Sequence, residues 1–485
     1  MEPKTKTKML SLILPEITLF CGALIILISD AFLRKKFEDV FYSSHLLALV
    51  FSAISFMFVI NNFVRIETGF NQGFLLNHFI SFVKIFALLL LLIVILISLD
   101  FVYSAKKISA EFLALLMIAT AGGMVLVSAG DFLVFYLGLE LQALSLYLLA
   151  AMNRGSKKSA EAGMKYFILG CLASGLLLFG ISLIYGFSGT INFDTLNALY
   201  HGFQVEKNSI PVAVMFGFIL VITAMFFKVS AAPFHMWTPD VYEGSATVVT
   251  TFFATVVKFI TTMALLRLST SLLLGWEGIG KLFASIALLS IVIGSFGAIF
   301  QKNLKRLLAY SSIGHVGFFL LGLAAFGKEA IAACVLYMII YALISVGSFA
   351  FLNLMKGENE EKTFAISSLS GLAKTNPTMA FSLSVLMFST AGIPPLAGFF
   401  SKFYIITFAI TYGLLPFAIA AIVISVAAAY YYLRVIKVMY FDEPNGAMEL
   451  EDIGNVKLIV FVSALLNIAL VIFIDPLLNL IKTIL

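Results

Sequence analysis

Charge is scarce in this chain: Asp, Glu, Lys and Arg together make up only 12% of its residues, well under the share found in soluble domains. That excludes an ordinary water-soluble globule. Cysteine is rarer still, with Cys21, Cys171 and Cys334 standing singly inside apolar stretches, which gives neither a disulfide framework nor metal or iron–sulfur spacing. No glycine-rich fingerprint lies between a strand and a helix, because Gly275-Trp276-Glu277-Gly278-Ile279-Gly280 falls in a loop between apolar runs. No metal, nucleotide or redox cofactor is therefore expected in this chain. The net charge of +5 belongs to loops and reports membrane topology rather than an acidic partner such as nucleic acid. Lysines at positions 4, 6 and 8 precede the first apolar run in the manner of a secretory signal, but no small-residue cleavage site follows and the run holds Pro15 and Glu16. It reads as a mature first helix.

What the chain does have is apolar length. Hydrophobic residues make up 61% and the mean hydropathy is +1.06. About 20 apolar residues cross the hydrocarbon core, and such runs recur along nearly the whole chain. They predict an all-α membrane protein of about 14 spans, at 9–30, 42–62, 77–100, 111–129, 131–151, 163–187, 210–231, 240–266, 282–300, 304–326, 329–355, 377–411 with a break, 415–439 and 457–481. The 49 phenylalanines fit lipid-facing surface and helix packing.

Basic residues orient the spans. The connections after odd-numbered spans carry 17 Lys and Arg, including Arg34-Lys35-Lys36, Arg154 with Lys157 and Lys158, Lys302 with Lys305-Arg306, and Arg434 with Lys437; the other connections and both termini carry 9. Odd connections are thus expected to face the cytoplasm and both termini the opposite side. The N-terminal lysines oppose this assignment.

Ionisable groups within apolar spans mark function by default, since a charge at mid-membrane costs roughly 2.5 to 3.5 kcal/mol on insertion scales. Lys84, Lys165, Lys228, Lys258, Lys402 and Glu140 are such groups. Lys228 stands five residues before Pro233, and Gly392-Ile393-Pro394-Pro395-Leu396-Ala397-Gly398 interrupts span 12. Proline removes a backbone donor and clashes with the preceding turn, so spans 7 and 12 are expected to be discontinuous, span 7 ending at Pro239-Asp240. The breaks lie five spans apart. A repeat of five helices has an odd count, so its second copy is inverted in the membrane, a layout in which broken helices mark the ion path. Two kinked helices of independent origin are the plainer alternative.

These residues resemble a known family. Lys228-Val-Ser-Ala-Ala-Pro233-Phe-His235-Met-Trp237-Thr-Pro239-Asp240-Val-Tyr242-Glu-Gly244 resembles the signature of the antiporter-like proton-pumping subunits of respiratory complex I. Gln301-Lys-Asn303-Leu-Lys305-Arg306-Leu-Leu-Ala-Tyr310-Ser311-Ser312-Ile-Gly-His315 and Gly392-Ile-Pro394-Pro395-Leu-Ala-Gly398-Phe-Phe-Ser-Lys402 resemble two further motifs of that family. The Leu14-Pro15-Glu16-Ile17 start, the 14-span length and Lys402 in place of an acid are most similar to its branch without a lateral helix. One departure is Ser245-Ala246-Thr247-Val248, where the family usually has prolines. It leaves the geometry at the start of span 8 open.

The resemblance implies two inverted five-helix units, spans 4–8 and 9–13. Residues 1–105 would form an N-terminal three-helix segment, 106–270 the first unit, 271–442 the second and 443–485 a C-terminal helix. It implies proton translocation in an NADH-quinone oxidoreductase of a bacterial plasma membrane, with NADH, FMN, iron–sulfur clusters and quinone held by other membrane and peripheral subunits, some of them antiporter-like homologues. Glu140 would tune Lys228, which would exchange a proton with Lys258 and pass it towards Lys402 for release. A carboxylate and an ammonium that approach or part alter each other's proton affinity. A static Glu140 ion pair is the alternative there, and for Lys402 the neutralising of helix C-terminal carbonyls. Lys165 is a relay or a snorkelling side chain. His235 and His315 are relays, since imidazole titrates near neutral pH, or buried hydrogen-bonded rings. Lys84, outside the repeats, reads as structural. A subunit of a multi-subunit Na⁺/H⁺ antiporter and a membrane scaffold are the competing functions.

Overall fold

Thirteen helices among the described residues are long and apolar enough to cross a membrane, and two shorter apolar helices, Pro377–Ala391 and Ala397–Thr411, make up the divided span 12. The about 14 spans expected from the apolar runs are therefore present. The computed structural model describes residues 10–32, 37–105, 109–153, 155–205, 211–273, 278–357, 364–444 and 448–485. Lys4, Lys6, Lys8, Arg34, Lys35, Lys36, Arg154 and the Gly275-Trp276-Glu277 part of its loop lie outside them.

Local chemistry sets the helix ends. Asp131 accepts from the Val134 N–H and Asn303 from those of Lys305 and Arg306, each satisfying donors that the first turn leaves free. Gly392, at φ 83°, ends the first half of span 12 in the left-handed conformation that glycine adopts without strain.

Three local features differ from the sequence expectation. Pro239-Asp240 does not end span 7: after the Val212–Val229 helix and a non-helical stretch, both residues lie in the first turn of a short helix, Trp237–Gly244. Proline is tolerated there because its missing N–H would have had no intrahelical acceptor. Span 8 accordingly begins at Thr247 rather than 240, and a π-helical turn, Phe253–Val257, interrupts it directly before Lys258. The third feature is an additional helix, Phe193–Val205, that buries Phe193, Leu196 and Tyr200 and exposes Asp194, Thr195 and Ala198. Its 3.6-residue stripe is amphipathic, so a search for uninterrupted apolar length passes over it.

The chain divides into two compact units, 1–229 with 256–275 and 230–255 with 276–485. In the first, span 6 (Lys157–Ser188) packs against the Val212–Val229 helix of span 7. A Cβ at Gly180 would lie 2.6 Å from the Gly217 carbonyl oxygen and one at Gly217 2.8 Å from that of Gly180. Small residues thus let the two backbones approach closely. In the second, span 9 (Ile279–Ile299) packs on span 10 (Leu304–Leu323), and span 11 (Lys328–Leu354) on span 14 (Gly454–Ile484). Span 11 is buried along most of its length.

Candidate proton-transfer groups at the two helix breaks

The crossing of spans 6 and 7 sets the level of Lys228. Eleven residues are close to three helical turns, so Lys228 projects from the same face as Gly217, towards span 6. It stands in the last turn of its helix, where a cation is favoured by the partial negative charge of the free carbonyls. Its Nζ donates to the Tyr147 hydroxyl over 3.3 Å and lies 5.7 Å from the centre of that ring.

Tyr147 belongs to span 5 (Phe132–Ala150), seven residues and about two turns beyond Glu140. The half-buried Glu140 carboxylate accepts from the Ser174 hydroxyl of span 6. Among the described residues no direct ion pair joins Glu140 to Lys228; Tyr147, which can donate and accept at once, contacts Lys228 instead. Space for its hydroxyl comes from Gly170, where a Cβ would stand 1.9 Å from the Tyr147 oxygen. Tyr166 meets the ring edge-on, with centroids 4.8 Å apart. The sequence reading singled out neither Tyr147 nor Ser174; a tyrosine beside a glycine-bearing neighbouring helix is a faint signal without the fold.

Two other lysines of this unit differ in setting. Lys258 is buried at 3% exposure, and its carbonyl accepts from Thr262 at 2.8 Å. Lys165 pairs with Glu161 at 2.6 Å on an exposed face of span 6, with 42% and 63% of the two side chains accessible. It shares no described contact with Glu140 or Lys228.

In the second unit, Lys402 is buried and reaches back across the break of span 12. Its Nζ donates to the carbonyls of Thr390 at 2.8 Å and Ala391 at 3.0 Å, the last residues of the preceding half-helix, and lies 5.3 Å from the Phe318 ring centre. The ammonium therefore neutralises helix C-terminal carbonyls, the geometry that the sequence left as an alternative to proton release. The two roles are compatible.

Two of the family-like motifs meet in the same unit. Arg306 Nη1 bonds Asp240 at 2.8 Å and Glu243 at 2.9 Å, while Lys305 Nζ donates to the Ser245 carbonyl at 2.5 Å. The short helix after the span 7 break is thus held at both ends by one dipeptide. The same contacts fix the Ser245 region that the departure from the family pattern left open. His315 shares a hydrogen bond of 2.6 Å with Tyr337 and one of 3.4 Å with Tyr432, whose hydroxyl is 2.5 Å from that of Ser311. A polar file, Ser311–Tyr432–His315–Tyr337, follows. His235 is half-buried in the non-helical stretch after Pro233, and its carbonyl accepts from the Thr238 N–H at 2.9 Å. No described hydrogen bond joins its ring to another titratable side chain.

Discontinuous spans carrying ammonium groups at their breaks, half-buried at Lys228 and buried at Lys402, define a polytopic membrane protein of ion-translocating type. Residues 129–428 match the family described as NADH:quinone oxidoreductase/Mrp antiporter, transmembrane, and the chain belongs to that family. It is 42% identical over 464 residues to NADH-quinone oxidoreductase subunit N of Paramagnetospirillum magneticum, covering 95% of this chain and 94% of that protein. Against subunit N 1 of Rhizobium meliloti the identity is 40%, with 96% and 95% covered. Among solved structures, a chain of respiratory complex I from Thermus thermophilus with bound aureothin superposes with a TM-score of 0.80 at 27% identity, over 96% of this chain and 98% of that one. A chain of the Mrp complex from Dietzia shares the fold alone, with a TM-score of 0.80 at 22% identity over 97% and 96%.

Proposed function

We propose that this chain is the proton-translocating subunit N of an NADH-quinone oxidoreductase, working beside other membrane and peripheral subunits that hold the NADH site, the FMN, the iron–sulfur clusters and the quinone. The observation that carries the reading is the placement of Lys228 at a helix break, donating to Tyr147, with Glu140 two turns away on the same helix as that tyrosine. Lys228 takes and gives a proton through the Tyr147 hydroxyl. Glu140, held by Ser174, sets the field in which it does so. Lys258 and then Lys402 continue the sequence towards release, and the His315–tyrosine file offers further exchange groups.

The reading treats spans 4–8 and 9–13 as inverted repeats, with 106–270 and 271–442 as the two units, 1–105 as the leading three-helix segment and 443–485 as the closing helix. A proline-interrupted span in corresponding position, seventh and twelfth, supports it. A bacterial plasma membrane, odd connections facing the cytoplasm and both termini outside complete the assignment, on the excess of basic residues in those connections. Whole-length relatives named as NADH-quinone oxidoreductase subunits favour coupling to electron transfer over a sodium antiporter.

The test is Lys228→Ala in the complete complex reconstituted in sealed vesicles. NADH-driven proton uptake should be lost while the complex assembles; uptake at the wild-type level would remove Lys228 from the central role.

A further inference from the structure

Glu16 and Lys84 are the buried charged residues of the first three spans among the described residues, at 5% and 1% exposure. Glu16 lies in the first turn of span 1 (Leu14–Phe32) and Lys84 two turns into span 3 (His78–Ala105). Their side chains meet at 2.6 Å, with the Phe74 ring centre 4.8 Å from the ammonium. Beyond this contact, neither the Glu16 oxygens nor Lys84 Nζ has a hydrogen-bond partner among the described residues. Ser55 of span 2 (Phe37–Asn62) is spent on the Pro15 carbonyl at 2.9 Å. Ser81, one turn before Lys84, is buried and its hydroxyl is likewise unpartnered. Among the residues of these spans whose burial is described, His45 is a further buried titratable group, and it faces Ser98 at 3.3 Å, 14 residues and about 21 Å along span 3 from Lys84.

This is a poor design for a strut. A buried ion pair offsets its desolvation only when further hydrogen bonds satisfy both ions, and a packed apolar pair often serves stability as well or better. Here that support is missing from both partners. The pair gains no further local hydrogen bond by staying ionised. Moving one proton breaks an N–H bond of Lys84 and forms an O–H bond on Glu16, leaving an amine and a carboxylic acid with no change in net charge. The way out is short: Lys84 is six residues from the start of its helix, about 9 Å, and that end is covered by the hairpin Glu67–Gly69 with Phe74–Leu76.

The geometry points to a second proton-exchanging carboxylate–ammonium pair, Glu16–Lys84, in the N-terminal three-helix segment, exchanging with the hairpin side beneath Phe74. The inference rests on the proton-translocating reading of the chain but uses none of its residues. Variants here leave Glu140, Lys228 and Tyr147 intact, so failure of one reading is seen apart from failure of the other.

The experiment replaces both charges, Glu16→Leu with Lys84→Met, in the full complex in proteoliposomes driven by NADH. A proton-exchanging pair predicts assembly and NADH oxidation at the wild-type level with fewer protons moved per NADH. An unchanged proton ratio overturns the proposal. Should the double variant not assemble, infrared difference spectra of the wild-type and Glu16→Asp complexes on reduction decide the matter: a protonated-carboxyl band that shifts with the aspartate supports exchange, and the absence of any such band at this residue overturns it.

Discussion

Tyr147 accepts from Lys228 at 3.3 Å while Glu140 stands two turns behind it on the same helix and bonds Ser174. A carboxylate paired directly to the lysine would hold the proton in place. In the proposed mechanism the carboxylate acts through its field while the lysine, bonded to a hydroxyl, retains a partner that can pass a proton on.

The first prediction is therefore Tyr147→Phe, which keeps the ring against Tyr166 and removes only the hydroxyl. Hydrogen bonds to charged groups contribute roughly 1.5 to 3 kcal/mol, so proton translocation should slow roughly ten- to hundredfold if that interaction is used at the barrier. Assembly should be unaffected. Gly170→Ala should act in the same direction by displacing the hydroxyl, and the double variant should lose less than the sum. Wild-type proton flux in Tyr147→Phe would assign this contact to packing.

A second prediction concerns the charge of Lys228 itself. Lys228→Ala should stop NADH-driven proton uptake, and Lys228→Arg should not restore it. Arginine remains protonated in proteins and its planar fork does not reproduce the point-like ammonium. Vesicle acidification with Lys228→Arg at more than a small fraction of wild type would show that a fixed charge suffices.

Glu140→Gln is the third. The glutamine carbonyl can still accept from Ser174, so local structure should persist and only the field is lost. A charge interaction of about 1.4 kcal/mol corresponds to about tenfold in rate, and coupled activity should fall by about that much. Normal pumping would mark Glu140 as a static group.

How much of this was legible before the fold was known follows from what each signal depends on. Apolar length located the spans, because the thickness of a bilayer imposes it on the chain directly. Pro233 and Pro394-Pro395 marked the breaks, because a missing N–H is a local property. Tyr147 carried no such mark: its partner is 81 positions away, and an isolated tyrosine in an apolar run reads as packing. Lys165 was ambiguous for a similar reason, since only the neighbouring helices decide whether a face is covered, and here it lies open beside Glu161. The π turn before Lys258 changes the hydrogen-bond register without changing composition, so hydropathy could not reveal it. Glu16 and Lys84 were each visible as charges within spans, but their pairing depends on how spans 1 and 3 pack.

The last prediction separates the two roles of Lys402. Its ammonium holds the carbonyls of Thr390 and Ala391 at the break of span 12, so removing it outright confuses loss of a proton carrier with loss of a helix cap. Lys402→Gln resolves this, because an amide offers two N–H donors to those carbonyls yet carries no transferable charge. Lys402→Leu leaves both carbonyls without that partner, at roughly 1 to 3 kcal/mol for each buried group. Lys402→Glu as the anion would set a carboxylate against carbonyl oxygens at a helix C-terminus, which is repulsive. Assembly, measured as intact complex per unit membrane, should rank Gln above Leu and Leu above Glu. Proton translocation should be low in the Gln and Leu variants, whereas the Lys402→Glu complex that does assemble should retain part of it, because a carboxylate can also load and release a proton. If Lys402→Gln assembles and pumps at the wild-type rate, the lysine is a cap and proton release lies elsewhere in the chain.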